Sequence, residues 1–180
     1  PDYSKRLVRQ NDVVETAARD AESIEGRRNV QLTRSLDGPG ANRIVDTDAA
    51  WLESILVEVV ANAMKHARSK VNVAIDGGGA EATVVVTDDG RGPPAQVRPL
   101  FEPSTERSGL GVSLALADRF VRDQGGRLAV GAGETGGSVV RLHLKTIDAQ
   151  QEKGATGGAS TDAGKGRRIL VVDDDADTVD

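Results

Sequence analysis

Residues 48–66 constrain the fold most strongly, because they combine one apolar helix face with one polar face of mixed chemistry. Glu58, Asn62, Lys65 and His66 fall at positions i, i+4, i+7 and i+8, on one side of a helix. A carboxylate, a carboxamide oxygen and two potential cations suit a magnesium ion with phosphate. A solvated polar face is the alternative that this segment alone leaves open. The apolar stripe, which must pack against a second layer, comprises Leu52, Ile55, Leu56, Val59 and Ala63.

A second motif lies at residues 84–92, which read Val-Val-Val-Thr-Asp-Asp-Gly-Arg-Gly. This is a β-branched strand followed by a glycine loop. Gly90 and Gly92 allow the backbone to approach a ligand closely, and Asp88 can accept a hydrogen bond from an amine. An Asp-Gly turn that merely ends a strand is the alternative interpretation.

Two further motifs follow in the chain. Residues 99–105 form an apolar patch around Phe101 inside a polar loop, and residues 108–111 read Ser-Gly-Leu-Gly at the start of a predicted helix. The free N–H groups of a glycine-rich helix start lie at the positive end of the helix dipole, where phosphate binds. A flexible loop before a helix is the alternative. The apolar stripe of this helix comprises Leu110, Leu114, Ala117 and Val121.

In this order, the four motifs resemble the N, G1, F and G2 boxes of the ATP-binding domain of sensor histidine kinases. That domain belongs to a wider family that includes gyrase, heat-shock chaperones and mismatch-repair ATPases. The resemblance covers roughly residues 10–146. It implies ATP and Mg²⁺ as ligands, and the two-layer architecture called the Bergerat fold.

The resemblance also implies a role for each matching residue. Asn62 is the implied magnesium ligand, and Glu58 would polarise the reacting phosphate region or the incoming nucleophile. Lys65 and His66 would lie near the phosphates, and Asp88 would bind the adenine amino group. The remaining implied ATP contacts are Gly90, Gly92, Phe101, Arg107, Gly109, Leu110, Gly111 and Ser138.

The segment between Gly92 and Gly109 departs from the family pattern, because it is short and lacks the usual glycine-rich stretch. Arg107 is the candidate γ-phosphate contact there, but Glu106 places a negative charge beside it. The alternative function is therefore a nucleotide-sensing regulatory or docking module with weak or no kinase turnover. A gyrase-type or chaperone-type ATPase clamp, and a serine kinase of an anti-sigma pathway, share the same boxes.

The spacing of apolar residues and of glycine and proline predicts the fold class. Helices on one face of a mixed, mainly antiparallel sheet would form a two-layer α/β sandwich, with residues 1–147 as one domain. His143 alternates with apolar residues in the last strand, and we expect an ordinary surface residue there. Besides the helix at 48–66, the pattern predicts a helix at 11–25, strands at 30–34 and 44–45, and hairpins pairing 71–75 with 82–87 and 127–130 with 139–145.

The C-terminal residues differ in composition from the predicted domain. Residues 148–166 read as a flexible linker. Residues 167–175, Arg-Arg-Ile-Leu-Val-Val-Asp-Asp-Asp, resemble the first strand of a response-regulator receiver domain. Asp173 and Asp174 would bind magnesium only in an intact receiver, so residues 167–180 predict a hybrid kinase as the parent protein. An acidic tail after a short apolar run is the alternative.

The two histidines lack the sequence context of a phosphoacceptor. Neither His66 nor His143 is followed by the acidic residue and proline of a phosphoacceptor box. We therefore expect the histidine-bearing dimerisation domain to lie upstream, as the partner of this chain. The isolated chain is expected to be monomeric and unable to autophosphorylate.

Composition excludes several other classes of protein. There is no cysteine, which excludes disulfides and cysteine metal sites and fits a cytoplasmic location. No apolar run approaches the ~20 residues that span a bilayer, so we expect no membrane contact. The net charge of −5 is concentrated at the C-terminus, where residues 148–180 hold 8 acidic and 4 basic side chains. The nearly neutral remainder makes nucleic acid an improbable partner.

Overall fold

The computed structural model describes residues 3–25, 29–38, 42–77, 81–93, 114–134 and 136–147. Two periodicities in the sequence produce its elements, since apolar residues recur every three to four positions in the helices and every second position in the strands. The elements are β1 (Arg6–Arg9), α1 (Gln10–Glu25), β2 (Gln31–Ser35), β3 (Ile44–Thr47), α2 (Ala49–His66), β4 (Lys70–Asp76), β5 (Glu81–Asp88), α3 (Leu114–Asp123), β6 (Arg127–Ala132) and β7 (Ser138–Ile147).

One seven-stranded sheet forms the first layer of the fold. Its strand order is β1-β3-β7-β5-β4-β2, and β6 also pairs with β7. Only the β2–β4 pair is parallel among the strands that the structure describes, and every other pair is antiparallel. The three helices cover one face of this sheet, so the predicted two-layer α/β sandwich is confirmed.

The hydrophobic core lies between the sheet and the helices. Val71, Val73 and Ile75 alternate with half-buried or exposed residues along β4, and all three point into the core. The stripe predicted on α2 meets them, because Leu52, Ile55, Leu56, Val59 and Ala63 are all buried. Each large aliphatic side chain buried in this way contributes about 1.5–3 kcal/mol of transfer free energy. Burial of this stripe turns the opposite face of α2 outward.

Two details differ from the sequence predictions. Strand β1 was not predicted, because Leu7 and Val8 are flanked by arginines and give no alternating pattern. The expectation that His143 is an ordinary surface residue is wrong, because its side chain is only 16% exposed and its Nδ1 lies 2.9 Å from Thr83 Oγ1. Burial lowers the pKa of His143, and the positive charge of Arg127 lowers it further.

None of the helices in the described parts of the chain is long and apolar enough to cross a membrane.

Candidate functional site

The helix α2 presents the first group of candidate residues. Asp48 caps its start by accepting a hydrogen bond from the Trp51 backbone N–H at 3.2 Å. Asn62, Lys65 and His66 are exposed on the outer face, as the spacing predicts. The last two lie in the final turn, where positive side chains interact favourably with the helix dipole.

Glu58 lies one turn before Asn62 on the same face and differs from it in exposure. Its side chain is half-buried, and this burial raises the pKa of its carboxyl group. Residues four apart on a helix are neighbours, so a carboxylate with raised basicity lies beside a carboxamide. A carboxylate with a raised pKa in a partly buried position suits a base that orients or accepts a proton from a nucleophile.

The loop after β5 brings the second motif against the end of α2. Asp88 Oδ1 accepts a hydrogen bond from the Gly90 backbone N–H at 2.7 Å. A methyl group on Gly90 would lie 2.4 Å from the carbonyl oxygen of His66, which is too close for any side chain. The absence of a side chain at Gly90 therefore lets the Asp88 loop contact the last turn of α2.

A turn before β7 contacts the same loop from the other side. Gly137 has φ +79°, a left-handed conformation that favours glycine, and a methyl group there would lie 1.8 Å from the Asp88 carbonyl oxygen. Gly92 also has a positive φ, and its methyl position lies 3.1 Å from the Gly137 carbonyl oxygen. Ser138 follows directly as the first residue of β7. The structure thus brings together the end of α2, the Asp88 loop and the start of β7.

Asp89 is a residue that the sequence reasoning missed. Its Oδ1 accepts backbone hydrogen bonds from Arg68 at 2.8 Å, Ser69 at 3.0 Å and Lys70 at 3.1 Å. Its Oδ2 accepts the Ser69 hydroxyl at 2.6 Å. The Ser69 hydroxyl and then these backbone donors hold the pKa of Asp89 well below its usual range. Asp89 therefore anchors the Asp88 loop to the turn after α2, a role that its position beside Asp88 did not reveal.

The third and fourth motifs, residues 99–105 and 108–111, lie outside the described residues. Outside them lie Phe101, Arg107, Gly109, Leu110 and Gly111, and also Asp173 and Asp174. The helix that follows the fourth motif is described from Leu114 onward as α3. Of the predicted stripe, Ala117 and Val121 are buried and Leu114 is half-buried, while Phe120, which the prediction did not include, is also buried.

The donor set on α2 fits a magnesium ion that arrives with a phosphate ligand. In the described residues, no group of three histidine, aspartate or glutamate side chains could hold a metal ion. Asn62 offers a hard oxygen donor that is exposed on the outer face of α2. Mg²⁺ commonly takes one or two protein oxygens and completes its octahedron with substrate phosphates and water.

Comparison with known proteins identifies the family of this chain. The profile of the family described as histidine kinase-, DNA gyrase B- and HSP90-like ATPase matches residues 47–148, more than half of the chain. The C4-dicarboxylate transport sensor protein DctB of Pseudomonas aeruginosa is 33% identical over 155 residues, which cover 77% of this chain and 25% of that protein. The signal transduction histidine-protein kinase AfsQ2 of Streptomyces coelicolor is 31% identical over 134 residues, 63% of this chain and 25% of that protein.

Solved structures share the fold at lower identity. The nucleotide-free catalytic domain of histidine kinase ThkA superposes with a TM-score of 0.69 at 18% identity, over 79% of this chain and 95% of that domain. Full-length ShkA in complex with AMPPNP gives a TM-score of 0.70 at 20% identity, over 83% of this chain and 32% of ShkA. The family profile matches the part of the chain that includes α2, the Asp88 loop and β7, and the chain belongs to the histidine kinase-, DNA gyrase B- and HSP90-like ATPase family.

Proposed function

We propose that this chain binds Mg-ATP and donates the γ-phosphoryl group to a histidine on a separate dimerisation domain in two-component signal transduction. The observation that supports this most directly is the junction at Gly90 and Gly137, where two side-chain-free positions hold the Asp88 loop against α2 and β7. Its relatives are the C4-dicarboxylate transport sensor protein DctB and the signal transduction histidine-protein kinase AfsQ2. The chain spans 25% of the length of each, so the activity of the whole protein is part of the proposal.

The candidate side chains of α2 and of the Asp88 loop each have a role in this proposal. Asp88 binds the adenine amino group, since a carboxylate that accepts the Gly90 N–H can accept a second donor. Asn62 holds Mg²⁺, while Lys65 and His66 lie beside the phosphates. Glu58 orients the histidine nucleophile or the reacting phosphate region. Phosphoryl transfer depends mainly on such positioning and charge neutralisation.

The rest of the parent protein extends the proposal in both directions. The dimerisation domain with the phosphorylated histidine precedes this chain, and a receiver domain that begins near residue 167 follows it. Asp173 and Asp174 bind magnesium once that receiver is complete. The isolated chain is a monomer, and it acts in the cytoplasm.

A nucleotide-sensing module without turnover is the second candidate function. Its support is the Glu106-Arg107-Ser108 sequence, which lies outside the described residues. The presence of both Glu58 and Asn62 on one face of α2 favours catalysis over a purely sensory role.

The first test is calorimetric titration with ATP and a non-hydrolysable analogue, with and without Mg²⁺. We expect Mg²⁺-dependent binding that Asp88→Asn abolishes. Asp76→Asn is the matched control, because Asp76 ends β4, its Oδ1 accepts the Gly77 N–H at 2.7 Å, and it lies at the opposite end of the β4–β5 hairpin. Equal ATP binding by Asp88→Asn and Asp76→Asn would refute the adenine assignment.

A second experiment separates the two candidate functions. A purified dimerisation domain is mixed with the chain and γ-labelled ATP, and label on the histidine is measured over time. We expect transfer that Glu58→Gln slows strongly while ATP affinity changes little. Tight ATP binding without any label transfer would support the sensing module instead.

A further inference from the structure

The residues before β1 contact two helices at once. The Tyr3 ring lies edge-on to Phe120, with centroids 5.2 Å apart, and edge-on to Trp51 at 6.1 Å. Trp51 and Phe120 stack on each other at 6.1 Å with an interplanar angle of 18°. Trp51 belongs to the first turn of α2, and Phe120 belongs to α3. Residues 3–5 therefore bridge the start of α2 and α3, and we call them the N-terminal strap.

Two hydrogen bonds fix the strap at both ends of this cluster. Asp48 accepts the Ser4 backbone N–H through Oδ2 at 2.8 Å, while its Oδ1 caps α2 through Trp51. The Tyr3 hydroxyl donates to Asp123 Oδ2 at 3.1 Å, at the end of α3. Burial and the bond to Asp123 raise the pKa of Tyr3 above its ordinary value. One carboxylate thus holds the strap on α2, and another holds it on α3.

The aromatic cluster links α3 to α2, while the rest of the buried face of α3 packs on β6 and β7. The helix α2 packs far more extensively on α1 than on α3, so direct contact between α2 and α3 is limited. Phe120 is fully buried between Tyr3, Trp51 and the core. Removal of the Tyr3 ring would leave Phe120 without one of its two aromatic neighbours, and α3 without a link to the strap.

In the sequence, both helices carry or directly follow motifs of the proposed ATP site. The helix α2 carries Glu58 and Asn62, and α3 begins three residues after Gly111, the end of the fourth motif. We infer that the N-terminal strap is a positioning device, in which Tyr3 and Ser4 set α3 relative to α2 and so tune nucleotide affinity without contacting the nucleotide. The nucleotide part of this inference rests on the proposed function.

The test compares Tyr3→Ala and Tyr3→Phe with Lys5→Ala, a control at an exposed strap residue. Amide hydrogen exchange of α3 in the absence of nucleotide measures how firmly the helix is held in place. Emission of Trp51, the single tryptophan, reports the aromatic cluster. We expect faster exchange in α3 and altered emission for Tyr3→Ala, and no change for Lys5→Ala. Tyr3→Phe keeps the ring and loses only the bond to Asp123, so it should show a smaller effect.

ATP titration of the same variants measures the coupling. We expect Tyr3→Ala to weaken affinity about fivefold or more, with Tyr3→Phe between it and the wild type. The inference would be overturned if amide exchange in α3 were as slow in Tyr3→Ala as in the wild type. It would also be overturned if exchange in α3 became faster while ATP affinity stayed unchanged. Absence of ATP binding by the wild-type chain would instead refute the proposed function, and the exchange result alone would then decide whether the strap positions α3.

Discussion

Substitution of Gly137 by alanine tests the contact that holds the Asp88 loop against β7. At φ +79°, alanine adopts a left-handed conformation that costs about 1–2 kcal/mol. Its methyl group would also lie 1.8 Å from the Asp88 carbonyl oxygen, where ordinary contact begins at 3.4 Å. Backbone must move to relieve this overlap, which costs about 1–3 kcal/mol. The two costs together predict a loss of about 2–5 kcal/mol in the free energy of unfolding.

The neighbouring Gly136 provides a matched control for this substitution. Its φ is +94°, so alanine there has a comparable backbone cost of about 1–2 kcal/mol. Apart from its chain neighbours, no atom of the described residues would lie within 4 Å of a methyl group on Gly136. The difference between the two variants therefore isolates the close approach at Asp88, and we expect about 1–3 kcal/mol.

Urea unfolding of both variants measures this difference. If the free energy of unfolding depends on urea concentration with the same slope in both variants, their midpoints give the difference in stability. ATP titration then shows whether the displaced Asp88 carbonyl also disturbs the adenine contact. We expect Gly137→Ala to lose affinity, while Gly136→Ala binds as the wild type does. Equal stability of the two variants, within about 0.5 kcal/mol, would refute the argument that Gly137 is required for close packing rather than for its backbone conformation.

Two further predictions concern the carboxylate and carboxamide groups of the site. Asn62→Asp adds a negative charge beside the phosphates, so we expect weaker ATP binding in magnesium, measured by calorimetry; unchanged affinity would contradict the metal assignment. The pKa of Asp89 is lowered in the folded state from its ordinary value of 3.8, so its stabilising contribution is complete above that value and is lost as the pH falls through and below it. As the pH falls from 6 to 3, the unfolding temperature should therefore fall more steeply for the wild type than for Asp89→Asn. Parallel curves would show that Asp89 does not cause the loss of stability in acid.

The sequence predicted those parts of the fold that depend on local periodicity. The helix α2 was identified because its apolar residues recur on one face, and Asp48 marks its start. The hairpin of β4 and β5 was identified because buried valines alternate with exposed or half-buried residues. In both cases, the residues that form the pattern are also those that form the core, so local and tertiary preferences agree.

Features that depend on contacts between distant segments could not be predicted in this way. Asp89 looks identical in sequence to a surface turn residue, and only the fold places three backbone N–H groups around its carboxylate. The burial of His143 depends on Thr83 and Arg127, which lie on two other strands. The close approach of Gly137 to Asp88 likewise joins residues far apart in the chain.

The few aromatic residues of this chain form a cluster that no sequence pattern predicted. The chain has four aromatic side chains among 180 residues, and three of them, Tyr3, Trp51 and Phe120, meet at one point. The rest of the core is aliphatic, so hydrophobic burial alone would not require this clustering. Aromatic pairs contribute about 0.5–1.5 kcal/mol beyond their buried area, and they impose a defined ring geometry that aliphatic contacts lack. Their concentration at the contact between α2 and α3 is what a positioning role for Tyr3 requires.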